Sequence, residues 1–286
     1  MPDRAPTAPR PGTTDAATDR RHRYMSGPAA LLGGPANVIM QLGLPPVGRG
    51  IIESTVTSGR FDLHPRKRGK TTLTYLAVAL LGTDEDRDAF RAAVDTSHRH
   101  VRSTERSPVR YNAFDPRLQL WVAACLYRGT ADSVALLFGG IDEHDAEEMY
   151  ADCARFGTTL QVRADMWPAD RDAFREYWDS MLAEISFDDE VRRYLLDQVV
   201  DLGPYHPIQR VAFRRINRFF TTGYLPQQFR DELGLDWGPR RQRAFELVMR
   251  SIGRATAVLP TSWRLYPFEG YLNDMRERRA QGKNLV

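Results

Sequence analysis

Apolar residues in this chain recur three and four apart, in segments cut by proline and glycine, and any fold it adopts must satisfy that period. Strand-like alternation is nearly absent, the best candidate being Thr159-Leu160-Gln161-Val162. The pattern predicts an all-α, single-domain protein of roughly ten helices, with no internal repeat. Order is expected from Gly27, after a 1–26 tail of Pro, Ala, Thr and Arg that lacks the apolar content to bury a core. The tail has no apolar stretch of the secretory kind, so the cytoplasm is the default expectation. No run of about 18 apolar residues exists to span a membrane. A formal charge of +3 over 286 residues demands no nucleic-acid partner. The two cysteines, Cys125 and Cys153, lie in apolar helical contexts and read as buried thiols. Nothing in the pattern speaks to oligomeric state.

Taken in order, Gly33-Gly34-Pro35 should split a lead-in from a helix that Pro45-Pro46 stops. A short helix from Val47 to Thr57 follows, ended by Ser58-Gly59-Arg60. Leu73, Leu76, Ala77 and Leu80 mark a helix from Gly69 to Leu81, closed by Gly82. Thr83 then caps the next helix, with Asp84, Glu85 and Asp86 against the positive end of its dipole. Phe90, Val94, His98 and Val101 form its apolar stripe, which turns His98 to the core and His100 away. Asp115-Pro116 is an N-cap followed by proline at the first helical position. The helix it starts is apolar on most sides, with a turn expected near Gly129. Helices are also expected from Asp142, after Trp167-Pro168, over Asp188–Val200, His206–Phe220, Gln227–Leu233 and Pro239–Val258, and from Tyr266 to Arg279.

The chemistry gathers between Arg66 and Trp121. Gly69-Lys70-Thr71 looks like the end of a phosphate-binding loop, but His64 stands where that loop needs glycine and no strand precedes it. Arg66, Lys67, Arg68 and Lys70 oppose the dipole of the helix they begin, so they need another reason to be there. Arg68 and Thr72 lie one turn apart on one face, beside Thr71 and Tyr75, so a guanidinium and hydroxyls converge on an anion or a polar oxygen species. Of His22, His64, His98, His100, His144 and His206, only His98 falls on an apolar stripe. On spacing alone, such a histidine is more often a satisfied core residue than a ligand. No His, Cys and carboxylate set has zinc spacing, whereas one histidine is compatible with the single axial ligand a haem needs. There is no Gly-x-Ser-x-Gly elbow. Glu147, Glu148, Asp152, Asp170 and Asp172 read as solvated charge, and Trp121, Trp167, Tyr177, Trp178, Phe219 and Phe220 as core.

Across the chain a set of short motifs follows in a recognisable order. It begins Leu31-Leu32-Gly33-Gly34, Gln41-Leu42, Pro45-Pro46-Val47, Arg68 to Thr72 and Tyr75-Leu76-Ala77-Val78. It continues with His98-x-x-Val101-Arg102, Tyr111-x-Ala113-x-Asp115-Pro116, Trp121-Val122, Trp167-Pro168, Tyr177-Trp178, Thr222-Gly223-Tyr224-Leu225-Pro226 and Leu259-Pro260. This order resembles the DUF2236 family, the MpaB-type oxygenases related to the latex clearing proteins; the resemblance covers about Gly27 to Arg279, within one domain of residues 27–286. It implies a globin-like, all-α core holding one haem b and its iron, with oxygen-dependent cleavage of carbon-carbon double bonds in a small apolar substrate, terpenoid or another secondary metabolite. Dioxygen is then a partner. The resemblance makes His98 the proximal iron ligand and places Arg68 and Thr72 on the distal side. Thr71 takes the place of a lysine found in the latex clearing branch. Arg102, one turn past His98 on the expected helix, would pair with a propionate. Two positions depart from the family, since Leu44 and Ala123 stand where many relatives have histidine. Two alternatives therefore stay open: a protein that binds haem without turnover, and a haem-independent enzyme using the same helical cavity.

Overall fold

Half of the α-helices among the described residues begin at a side chain that takes up a free backbone N–H, the group a helix start leaves without a partner. The structure, a computed structural model, describes residues 24–56 and 60–286. Ser26 caps α1 (Gly27–Leu42) by accepting from the Ala29 N–H, and Pro45 opens α2 (Pro45–Ile52). Pro65 opens α3 (Pro65–Leu81), and Thr83 with Asp86 closes a capping box on α4 (Asp84–His98). Asp115 and Pro116 start α5 (Pro116–Phe138), and Asp142 starts α6 (Glu143–Cys153), with the single turn α7 (Arg155–Thr158) beyond it. Asp170 caps α8 (Arg171–Leu182), and Asp188 caps α9 (Asp189–Tyr194), which passes into a π-helical turn over Leu195–Val200. His206 caps α10 (Pro207–Tyr224); α11 (Gln227–Glu232), α12 (Pro239–Ala257), the turn α13 (Thr261–Arg264) and α14 (Phe268–Ala280) complete the chain.

The described residues form one all-α domain without a strand; Arg102 and Asn112 make an isolated bridge. The long helix α5 sits in the middle, packed by α1 on one side and α12 on another, while α10 lies on α1 and α14 lies on α3. At the α5–α12 crossing, a Cβ on Gly253 would sit 2.0 Å from the Leu137 carbonyl oxygen, so only glycine admits this approach. Trp121 on α5 is fully buried, donates from its indole to the Gln41 carbonyl at 3.1 Å and stacks on Trp178 at 5.1 Å. At the end of α10 the Arg230 guanidinium takes up the carbonyls of Thr222 and Gly223, groups a helix C-terminus leaves free.

Several boundaries differ from the sequence expectation. α1 runs unbroken through Gly33-Gly34-Pro35. The bond Pro35 cannot make falls at the carbonyl of exposed Leu31, while Ala29, Ala36 and Ile39 bury the opposite side. α5 likewise passes through Gly129 without a turn, because Asn37 of α1 donates to the Cys125 carbonyl at 2.6 Å and fills the space beside that glycine. α3 starts at Pro65 and so absorbs the whole basic cluster, and α4 stops at His98. Thr159 to Val162 is a turn, not a strand. Of the expected 1–26 tail, residues 1–23 lie outside the described residues, as do Thr57, Ser58 and Gly59 in the loop after α2. Tyr24 and Met25 pack into the core, so burial starts before Gly27. Both cysteines are free and buried, and burial pushes both thiols well above their ordinary pKa.

Candidate functional site

The basic start of α3 is divided by the helix itself. Lys70 points to the C-terminal helix, where its ammonium pairs with Asp274 at 2.7 Å and lies 5.8 Å over the Tyr271 ring. Gly69-Lys70-Thr71 is thus the second turn of a helix docked on α14, and no phosphate loop exists there. Arg66 and Lys67 are exposed. Arg68, Thr72 and Tyr75 follow one another along a different face, with Thr71 beside Thr72 and partly buried. The Thr72 hydroxyl donates to the Arg68 carbonyl at 3.0 Å, so its proton is committed and its oxygen stays free to accept. Tyr75 donates to the Phe156 carbonyl, and burial holds its hydroxyl far above the ordinary pKa.

Arg68 itself is partly buried. Desolvation lowers the pKa of its guanidinium, and the one opposing influence is the hydroxyl of Tyr194 on α9. Among the described residues the guanidinium has no hydrogen bond and no ion pair, an uncommon condition for a cation removed from bulk water. His98, the last residue of α4, is in the same position. Burial first, and the Arg68 charge second, pull its pKa down to about 4, with Asp95 acting in opposition. Its imidazole is therefore neutral at physiological pH. Its Nδ1 is buried without a hydrogen-bond partner, and its ring meets Phe114 edge-on at 6.1 Å and 84°. A core histidine satisfied in the ordinary way would meet a hydroxyl, carbonyl or carboxylate at that nitrogen. Asp95, one turn earlier, is instead taken by the Gln161 amide at 2.7 Å, and Gln161 is held in turn by Gln119.

Two basic groups thus share one electrostatic neighbourhood, in which the Asp95 carboxylate acts on His98 and no carboxylate acts on Arg68. Such a place suits a group that accepts electron density from a neutral nitrogen or brings negative charge to a guanidinium. Arg102 does not join it by the expected route. α4 ends at His98, so no helical turn connects the two, and Arg102 is exposed, bridged through its backbone to Asn112. It lines a surface cleft with Arg99, His100 and Arg106, opposite Glu53. The other described histidines lie on the surface: His64 and His206 at helix starts, His100 exposed, His144 paired with Glu148. His22 lies outside the described residues. No group of three His, Cys, Asp or Glu among the described residues could hold a metal ion. Sequence reasoning passed over Phe114 and Tyr194. Phe114 sat within a quoted motif, while nothing local in the sequence marks Tyr194.

A family model described as ER-bound oxygenase mpaB/B'/rubber oxygenase, catalytic domain, matches residues 21–254. The chain belongs to this oxygenase family. Arg68, Thr71, Thr72 and His98 all lie within the matched stretch, whereas α14, which holds Lys70, lies beyond it. Two proteins, one of Mycobacterium bovis and one of Mycobacterium tuberculosis, are each 47% identical over 252 residues, covering 88% of this chain and 98% of their own. Both carry the description "uncharacterized protein". No solved structure matches the chain. Like the catalytic domains of this family, the chain is an oxygenase domain by descent, and no helix among the described residues is long and apolar enough to cross a membrane.

Proposed function

We propose that this protein is a haem b-dependent oxygenase acting on a small apolar substrate that carries a carbon-carbon double bond, in which His98 would hold the iron and Arg68 and Thr72 would serve the reacting oxygen. The observation that carries the reading is the neutral His98 imidazole with a sealed, unpartnered Nδ1, set against an uncompensated Arg68. These residues fit the group. A neutral imidazole is the form that binds iron, and a desolvated guanidinium without a carboxylate partner is complementary to bound oxygen or to an anionic substituent.

Haem would supply an iron atom able to bind dioxygen and exchange electrons with it. This chain's own residues do the rest. His98 would hold the group from the end of α4, where the Val101 N–H donates to the His98 carbonyl at 2.9 Å and fixes the helix end. Arg68 presents fixed positive charge and N–H donors in a low-dielectric setting, where both act more strongly than in water. Thr72 accepts a hydrogen bond at Oγ1, since its own proton points to the Arg68 carbonyl. Thr71 and Tyr194 border the same face. Val94, one turn before His98, and Phe114 offer the apolar side chains that exclude water and favour a hydrocarbon substrate.

Absorption spectroscopy tests this. The protein reconstituted with haem is expected to show a Soret band that His98→Ala abolishes or shifts, and to consume oxygen with an apolar alkene. A protein that gains no band, or a His98→Ala variant with an unchanged one, overturns the reading. One observation favours the second reading, haem binding without turnover. The positions where relatives carry histidine are fully packed here, Leu44 at 4% and Ala123 at 0% exposure, and bring no polar group to a cavity. A normal Soret band with no oxygen consumption would select it.

A further inference from the structure

Large apolar side chains that stand out into solvent are concentrated in one part of the chain. Of thirteen among the described residues, ten fall between Ile208 and Tyr266. The same stretch holds the positive charge: from Leu202 to Tyr266 eleven arginines face four acids, in a chain whose overall charge is only +3. From Leu202 to Arg230 there is no acid at all.

The first half of α10 combines both features. Ile208, Val211, Phe213 and Ile216 are 73%, 82%, 56% and 52% exposed. Ile208, Ala212 and Ile216 follow one another at intervals of four along one side, and Arg210, Arg214 and Arg218 do so at the same interval along the other. Arg218 pairs with Asp201, while Arg210, Arg214 and Arg215 make no ion pair among the described residues. This half projects from a firm base. The second half, Thr221 to Tyr224, is buried. At the point of emergence Asn217 donates to the carbonyls of Val199 and Val200 at 2.9 and 2.8 Å.

A water-exposed helix with four large apolar side chains and unpaired arginines calls for a partner that is apolar and negative at once. A second copy of the chain would bring two arginine stripes together across a two-fold contact, and like charges oppose that pairing. Residues 1–23 of this chain contain no Leu, Ile, Val, Phe or Trp and hold five arginines against three acids, so they supply neither quality. Nucleic acid would engage the arginines and leave Ile208, Val211, Phe213 and Ile216 in water. A lipid surface with anionic headgroups satisfies both, the apolar side chains entering the acyl boundary while the guanidiniums extend to phosphates.

We infer that the projecting half of α10, Pro207 to Ile216, is an interfacial anchor that holds this protein on anionic lipid membranes. The inference stands apart from the chemistry at His98 and is read without haem or substrate.

Co-sedimentation of the full chain with vesicles tests it. The protein is expected to pellet with vesicles of phosphatidylglycerol and phosphatidylcholine in equal parts, far less with phosphatidylcholine alone, and to be partly released by salt. Arg210→Gln/Arg214→Gln/Arg215→Gln should weaken partitioning by about 5-fold for each arginine removed. Ile208→Asp/Phe213→Asp/Ile216→Asp should abolish it. Apart from partly buried Arg210, both variants change exposed residues, and an unaltered Tm confirms that each is folded. The proposal fails if the wild type stays in the supernatant, or if neither variant changes the pelleted fraction. It also fails if light scattering finds a dimer that Ile216→Asp dissociates, or if duplex DNA binds as tightly as the vesicles and the apolar variant binds it unchanged.

Discussion

The two ends of α4 treat a buried polar group in opposite ways. At the N-terminal end the Asp86 carboxylate is almost wholly enclosed, and every direction around it is taken. Arg276 donates twice at 2.9 and 2.7 Å, Arg279 once at 3.2 Å, and the Thr83 N–H once at 3.1 Å. Burial pushes its pKa up, but the Arg276 bonds and the Thr83 N–H outweigh that and leave it below the ordinary carboxylate value. At the C-terminal end His98 has an empty-handed Nδ1 and faces a cation that also lacks a partner. A saturated buried charge ties helices together, here α4 to α14. An unsaturated one holds free energy in reserve for a ligand.

The largest effect should appear at the saturated end. Arg276→Met/Arg279→Met leaves the Asp86 carboxylate buried without a counter-charge, and urea unfolding should show a loss of about 3–5 kcal/mol. A loss under about 1 kcal/mol would mean the network is ornamental, and the contrast between the ends would disappear.

Next comes pH. The unfolded chain protonates His98 near 6.5, while the folded apoprotein resists protonation until about 4. Between those values the unfolded state binds more protons, so stability falls as pH falls through this window, by roughly 3 kcal/mol at its foot. Arg68 lowers and Asp95 raises the affinity of the ring for that proton. Comparing urea midpoints of wild type and His98→Phe from pH 6.5 to pH 4 checks it; equal slopes would remove His98 from the account.

A smaller and opposite effect is expected from His98→Phe at neutral pH. Removing a buried nitrogen without a partner should leave the apoprotein as stable, or raise it by about 1–2 kcal/mol, while abolishing the Soret band. A clear destabilisation would make the imidazole structural and the two ends of α4 alike. The smallest effect on folding is expected from Thr72→Val, within about 0.5–1 kcal/mol because the Arg68 carbonyl keeps its helical bond. Oxygen consumption should fall several-fold with haem content unchanged, measured by oxygen electrode and Soret absorbance on one preparation.

Much of this was legible beforehand because it is local. Thr83, Asp115, Asp142 and Asp188 cap helices at the starts expected for them, and that chemistry needs only neighbours in sequence; Asp170, read as solvated charge, is a cap as well. The family order of motifs and the inward turn of His98 were readable for the same reason. Gly129 and Pro35 misled because their local penalties are smaller than the burial on either side, which depends on α1 meeting α5. Arg102 misled because a stripe extended through Val101 gives no sign that the helix stops three residues sooner.

By itself the sequence determined that the chain is helical, where most helices start, and that Arg68 and Thr72 share one face of a helix, since period, caps and proline act over a few residues. Only the tertiary structure decided what each polar group would meet. Asp86 found two arginines 190 and 193 residues away, Lys70 found Asp274, and the His98 Nδ1 found no hydrogen-bond partner among the described residues. Satisfaction of a buried charge is settled by helices distant in sequence, and no pattern along a single helix records which of them will arrive.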